Sequence, residues 1–201
     1  MGTCLALPGI LGTALDAPYR EASVIRRAAN LVVHTARLHR NPVRYFRSQG
    51  VDIGEDVEIF GANLHTFGSE PYLVSIGNKV TISHSVDFVT HDGGLRVARA
   101  KYPEAYLYER IQVADRCFIG AHSVLLPGAR VGAGSVIGTG SVITGEIPPD
   151  VVAFGVPARP VKSVEEYIQG KRHLWIDTRG LTASAKKELL RSRLLESDQQ
   201  G

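Results

Sequence analysis

Seven histidines and two cysteines are the side chains of this 201-residue chain best suited to nucleophilic or acid–base chemistry. One histidine has a distinctive setting. His91 stands in Phe88-Val89-Thr90-His91-Asp92, and Gly93 and Gly94 follow, so the chain can turn sharply beside an imidazole. An imidazole titrates near neutral pH, so it can take a proton from a hydroxyl and hand it to a leaving group. Asp92 adjoins it, but neighbours in extended chain point to opposite sides. Asp87, Glu104 and a backbone carbonyl are the other candidates to orient the ring. Asn63 and His65 share an earlier loop, while His84 and His122 lie in more regular stretches. His34, His39 and His173 fall outside and are expected to be solvated. Tyr102, Tyr106 and Tyr108, in the segment 92–111, can stack on a sugar ring and bond its edge, or pack against a neighbouring subunit. Cys4 and Cys117 form neither a disulfide framework nor a metal pattern, which suits a reducing, cytoplasmic setting.

Two motifs invite a different reading and fail. GAGSVIGTGS at 132–141 places its third glycine one position late for a dinucleotide loop, and no helix-length amphipathic segment follows. Lys162-Ser163 has no upstream G-x-x-x-x-G, so there is no P-loop.

The elements that must position these residues are set by a repeat. From Val113 an aliphatic residue recurs every six positions: Val113, Ile119, Leu125, Val131, Ile137 and Ile143. Small residues follow at fixed offsets, among them Ala114, Gly120, Gly132 and Gly138, then Cys117, Ser123, Ala129, Ser135 and Ser141. Ile53 with Ile59, and Ile76 with Ile82 and Phe88, repeat the grammar upstream. Irregular stretches at about 60–73 and 89–111 separate the runs. A six-residue period suits neither a helix nor a hairpin meander. It suits a chain that turns a corner every six residues, so that three faces close a coil. Aliphatic side chains point inward, and small residues allow positive φ and close backbone approach. The expected fold is therefore all-β: a three-faced parallel β-helix with flanking N- and C-terminal α-helices. Its divisions are 1–50, 51–162 with the excursion loop 92–111, and 163–201.

The ends read as helical. Residues 22–40 form an amphipathic helix with Val24, Ala28, Leu31, Thr35 and Leu38 on one stripe and arginines gathered opposite. It is expected to cap the stack, and its basic face suits peripheral contact with an anionic membrane. Short helices are expected near 163–170 and 182–195, the second capped by Thr182 or Ser184, with Trp175 anchoring the segment. ESDQQG should be disordered. The apolar start lacks a basic lead and reads as a tail rather than a signal peptide, and Ala6 breaks a myristoylation motif. A net charge of +3 gives no reason to expect nucleic acid.

IGAHSVLLPGARVGAGSVIGTGSVITGEIPPDVVAFGVPARPVK at 119–162 and SIGNKVTISHSVDFVTHDGG at 75–94 carry a resemblance. Over about 51–162 the chain resembles the maltose/galactoside O-acetyltransferase group of hexapeptide-repeat acyltransferases, and IPPDVVAFGVPAR is its most specific piece. The resemblance implies a left-handed parallel β-helix, or hexapeptide-repeat solenoid, and a homotrimer with the site between neighbouring prisms. It implies acetyl-CoA or another acyl-CoA as co-substrate, and His91 and Asn63 as the catalytic residues. It implies coenzyme contacts at Ala121, Thr139, Thr144, Arg159 and Lys162, with Cys117 where the family often carries an aromatic. His65, Asp92, Tyr102 and Tyr106 are the expected acceptor-binding residues.

Acyl transfer from a thioester to a hydroxyl needs proximity, a base and an oxyanion donor, and no covalent enzyme intermediate. Cys117 then reads as a corner filler. No metal is required, and the acceptor is expected to be a sugar or polysaccharide precursor. Two alternatives stand: a zinc hydratase of the carbonic-anhydrase type, needing His84, His91 and His122 to meet across coils, and a scaffold without activity.

Overall fold

The computed structural model describes residues 16–195, with side chains from residue 26 onward. The readings of the N-terminal tail, Cys4, Val24 and the final ESDQQG lie outside these. The chain divides into two compact units, Met1–Val164 and Glu165–Gly201.

The first unit opens with helices α1 (Asp16–Arg40) and α2 (Pro42–Ser48). Strands of two or three residues follow: β1 (Asp52–Ile53), β2 (Glu58–Ile59), β3 (Val74–Ile76), β4 (Thr81–Ile82) and β5 (Asp87–Phe88). The next run is β6 (Ile111–Val113), β7 (Phe118–Ile119), β8 (Val124–Leu125), β9 (Arg130–Val131), β10 (Val136–Ile137), β11 (Val142–Ile143) and β12 (Glu146–Ile147). A longer pair, β13 (Val151–Gly155) and β14 (Ala158–Ser163), ends it.

These strands form three sheets, ordered β1-β3-β6-β9-β12, β14-β13-β10-β7-β4-β2 and β11-β8-β5. Consecutive strands from β6 to β12 visit the three sheets in rotation, and each pairs in parallel with the strand of the preceding cycle. Thus Val136 lies opposite Phe118, and Val142 opposite Val124. Among the described strands only β14 runs antiparallel, folding the IPPDVVAFGVPAR segment into a hairpin at the end of its sheet.

The period-six aliphatics are the interior. Ile119, Leu125, Ile137 and Ile143 have no exposed surface, and Val113 and Val131 almost none. Cys117, Ser123, Ala129, Ser135 and Ser141 are buried as well. The serines meet their needs locally: Ser135 donates to the Pro148 carbonyl at 2.7 Å, and Ser141 to that of Gly138.

The corners split two jobs that the sequence reading had merged. Positive φ falls one residue before the buried small side chain, at Arg116, His122, Gly128, Gly134 and Gly140, so it is not confined to glycine. Gly120 is needed for closeness instead, since a Cβ there would stand 2.6 Å from the Thr139 amide nitrogen.

The cap is also reassigned. Of the stripe on α1, Leu38 is buried, whereas Leu31 is 56% exposed. Pro42 starts a new helix, with Asn41 Oδ1 accepting from the Arg44 N–H at 2.9 Å. That helix, α2, supplies the plug. Phe46 meets Phe67 edge-on at 4.6 Å, and Phe67 stacks on Phe88 at 4.5 Å. His34, expected in solvent, is half-buried with Nδ1 3.1 Å from the Tyr45 hydroxyl.

The second unit holds α3 (Val164–Lys171, whose first residue closes the first unit) and α4 (Ala183–Leu194). Thr182 caps α4 by accepting from the Ala185 N–H at 3.2 Å. Neither helix has a buried residue, and Trp175 is 63% exposed. Most of its indole is exposed, against the anchoring role expected of it. Among the described residues no helix is long and apolar enough to cross a membrane.

Candidate active site

The third sheet leads to His91. Beyond β5 the chain leaves the repeat, and residues 90–92 pair with 107–109 before it returns. The Asp92 N–H donates to the Leu107 carbonyl at 3.1 Å, and the Glu109 N–H to the Thr90 carbonyl at 3.0 Å. His91 and Tyr108 form an antiparallel bridge, with ring centroids 5.9 Å apart. The excursion is therefore pinched at its base, where His91 sits.

The ring is oriented by Glu70, which the sequence reading missed. His91 Nδ1 lies 3.0 Å from Glu70 Oε2, and the Thr90 hydroxyl donates to the same oxygen at 2.7 Å. Thr90 is fully buried, and the Glu70 side chain is 15% exposed against 42% for His91. Burial pushes the Glu70 carboxyl up. Hydrogen bonds from Thr90, Ser69 and His91, with the charge of His91, outweigh it and hold the group below its ordinary value. A carboxylate at Nδ1 needs a proton there, which leaves the Nε2 lone pair as the basic position. Among the described residues Nε2 has no protein partner. Asp87, Glu104 and a backbone carbonyl are not the orienting group.

The signal that could have found Glu70 lies in the loop 60–73, read as irregular. Its middle rejoins the stack: the Phe88 N–H donates to the Thr66 carbonyl at 2.8 Å, and Phe67 lies under Phe88. Phe67-Gly68 is thus a concealed repeat unit, of the same form as Ile53-Gly54 and Ile76-Gly77. Glu70 follows Phe67 by the same three residues by which His91 follows Phe88, so neighbouring cycles place them side by side.

A hollow of about 390 Å³ opens at this point, with His65, Ser69, Thr90, His91 and Val124 among its lining residues. The structure brings His65 and His91 together there. Asn63 does not line it; its Oδ1 accepts the His65 N–H at 2.7 Å and shapes the loop that presents His65. Asp92 is exposed and accepts the Gly94 N–H at 2.8 Å, capping a short 3-10 helix at Gly93–Ala98. Tyr102 and Tyr106 are exposed in the excursion, near Lys101 and under the Arg99 guanidinium at 3.7 Å.

The residues expected to contact the coenzyme line other surfaces. Ala121 accepts from Gly140 next to Thr139 at 2.8 Å. Thr144 follows β11 on the sheet from which His91 departs. Arg159 and Lys162 lie on β14, opposite Phe154 and Val152. None of the five lines the His91 hollow. Cys117 is buried, donates to the Gly132 carbonyl at 3.2 Å, and burial pushes its thiol up, which suits a filler and not a nucleophile. His84 and His122 meet ring to ring at 5.0 Å, while His91 is bonded to Glu70, so the three do not converge as a zinc triad. Among the described residues no three His, Cys, Asp or Glu side chains are grouped to hold a metal ion.

The family described as "Bacterial transferase hexapeptide (six repeats)" matches residues 110–145. Protein CapG of Staphylococcus aureus is 46% identical over 121 residues, covering 60% of this chain and 70% of CapG. The galactoside O-acetyltransferase of Escherichia coli K12 is 34% identical over 125 residues, covering 62% of this chain and 60% of that enzyme. A hexapeptide-repeat acetyltransferase of Vibrio cholerae, solved with acetyl coenzyme A, is 27% identical; the likeness covers 57% of this chain and 61% of that one, with a TM-score of 0.46. The extent of the CapG match, joined to the repeat and its closing signature, settles the kinship: the chain belongs to the hexapeptide-repeat acyltransferases, in the maltose/galactoside O-acetyltransferase-like group.

Proposed function

We propose that this chain transfers an acetyl group from acetyl-CoA to a hydroxyl of a sugar or polysaccharide precursor, with His91 as general base. The observation that carries this is the Glu70–His91 pair, whose imidazole lines a hollow. Glu70 fixes the ring with Nδ1 protonated, and Nε2 takes the acceptor proton as its oxygen attacks the thioester carbonyl. The same nitrogen returns the proton to the leaving thiolate. Glu70 stays ionised and stabilises the transient imidazolium.

The reading has further parts. The three-sheet stack winds as a left-handed parallel β-helix, and three copies associate about a cyclic axis. Coenzyme A lies between neighbouring copies along Ala121, Thr139, Thr144, Arg159 and Lys162. Arg159 and Lys162 supply charge for its phosphates. His65, Asp92, Tyr102 and Tyr106 face the acceptor, and Asn63 presents that loop. The functional divisions are 1–50, 51–162 and 163–201, the basic helix α1 is available to an anionic membrane surface, and the protein works in the cytoplasm.

The test is a mass-shift screen with acetyl-, succinyl- and longer acyl-CoA against a panel of glycosides, run with wild type and His91→Ala. Acetyl transfer to at least one glycoside, lost in the variant, is the expected result. Transfer that persists without His91 contradicts the mechanism.

A further inference from the structure

The helix pair α1–α2 carries a polar hollow lined by none of the residues proposed above for the transfer reaction. It has a volume of about 520 Å³ and is lined by Arg37, Arg40, Asn41, Arg44, Tyr45 and Ser48. Three guanidinium groups thus border one concavity. Among the described residues none of Arg37, Arg40 and Arg44 has a carboxylate partner.

The other polar groups of the hollow are already engaged. Asn41 Oδ1 accepts the Arg44 backbone N–H, Ser48 donates to the Tyr45 carbonyl at 2.6 Å, and the Tyr45 hydroxyl meets His34. Arg47, one helical step beyond Arg44, makes the contrast. Its guanidinium is held by the carbonyls of Ile53 and Gly54 and by Glu55. Arg47 thus finds protein acceptors, and among the described residues the three guanidinium groups that share the hollow find none.

Three like charges gathered in one concavity repel unless an anion joins them. Guanidinium forks match the oxygens of phosphate, and several of them around one anion give short, charge-assisted bonds. We propose that the Arg37–Arg40–Arg44 hollow binds a phosphate or pyrophosphate group. Its source is either a soluble phosphate-bearing molecule or a lipid headgroup. Val33, one turn before Arg37 on the same face of α1, is 45% exposed and would meet the membrane beside such a headgroup. The proposal does not depend on the acetyl-transfer reading, and its test reads binding alone.

The experiment titrates the full chain with inorganic pyrophosphate by calorimetry. In parallel it measures co-sedimentation with phosphatidylcholine vesicles, with and without phosphatidic acid. Saturable pyrophosphate binding that weakens with salt is expected. R37Q/R40Q/R44Q should weaken it at least about tenfold, while R26Q, which removes a charge from the same helix outside the hollow, should not. Sedimentation with acidic vesicles that pyrophosphate competes away identifies a headgroup, and pyrophosphate binding without vesicle binding identifies a soluble ligand. Should the triple variant fail to fold, R40K, which keeps the charge and loses the fork, is expected to bind more weakly. Absence of saturable binding by the wild type, equal loss in R26Q, or unchanged affinity in R40K would overturn the proposal.

Discussion

The run from Ile111 to Ile147 and the two stretches that interrupt the repeat are built on opposite terms. In the run, every sixth residue is an interior aliphatic, every cycle pairs with the one before it, and any one position resembles five others. In the stretches 60–73 and 89–110 the period lapses, and the side chains there are singular: Glu70 from one, His91 from the other, joined at 3.0 Å. The repeat supplies stiffness and register. The interruptions supply chemistry, and they work because the stack holds both departures on neighbouring turns, where Phe67 lies against Phe88.

That contrast can be broken by substitutions on each side of it. The largest expected effect lies in the run. Ile137→Ala removes a side chain with no exposed surface, and should cost about 2–5 kcal/mol in urea unfolding while leaving the rate per folded molecule unchanged. A rate that falls in step with stability would mean that the two regions are not separable. Next is Glu70→Gln, which keeps the shape and loses the charge. Acetyl transfer should fall on the order of 10- to 100-fold, mostly in kcat, as is usual when a histidine loses its orienting acid.

Thr90→Val is smaller. It removes one hydrogen bond to the carboxylate and should cost about 1.5 kcal/mol of stability, with transfer reduced by a few fold. The smallest effect is the acid dependence. Because the Glu70 carboxyl is held below its ordinary value of 4.5, its contribution is fully present above that pH. It is lost as pH falls through the lowered folded value. Wild type should therefore lose more stability than Glu70→Gln on acidification below about pH 4.5, as read from unfolding midpoints. Parallel curves would show that the pair does not tune the carboxyl.

The same contrast explains what was legible in the sequence. The parallel three-face stack could be read from Val113 to Ile143 because the same physical demand recurs there six times. His91 stood out through its loop position and its glycines. Glu70 did not, because Phe67 breaks the aliphatic rule and only the Phe46–Phe67–Phe88 column shows it to be in phase. The amphipathic stripe on α1 reports an apolar face but not its partner, so it does not by itself identify the cap. Pro42 and the Asn41 cap were the local marks of a second helix, and Tyr45 and Phe46 were its plug.

The central claim is that Glu70 acts through His91 to prepare a base for the acceptor hydroxyl. A double-mutant cycle on acetyl-CoA-dependent transfer, comparing wild type, His91→Ala, Glu70→Gln and the double variant, addresses it most directly. The account predicts a loss on the order of 100- to 10,000-fold for His91→Ala, and no further loss when Glu70→Gln is added. A His91→Ala enzyme within a few fold of wild type, or a Glu70→Gln cost that persists in full without the imidazole, would contradict it.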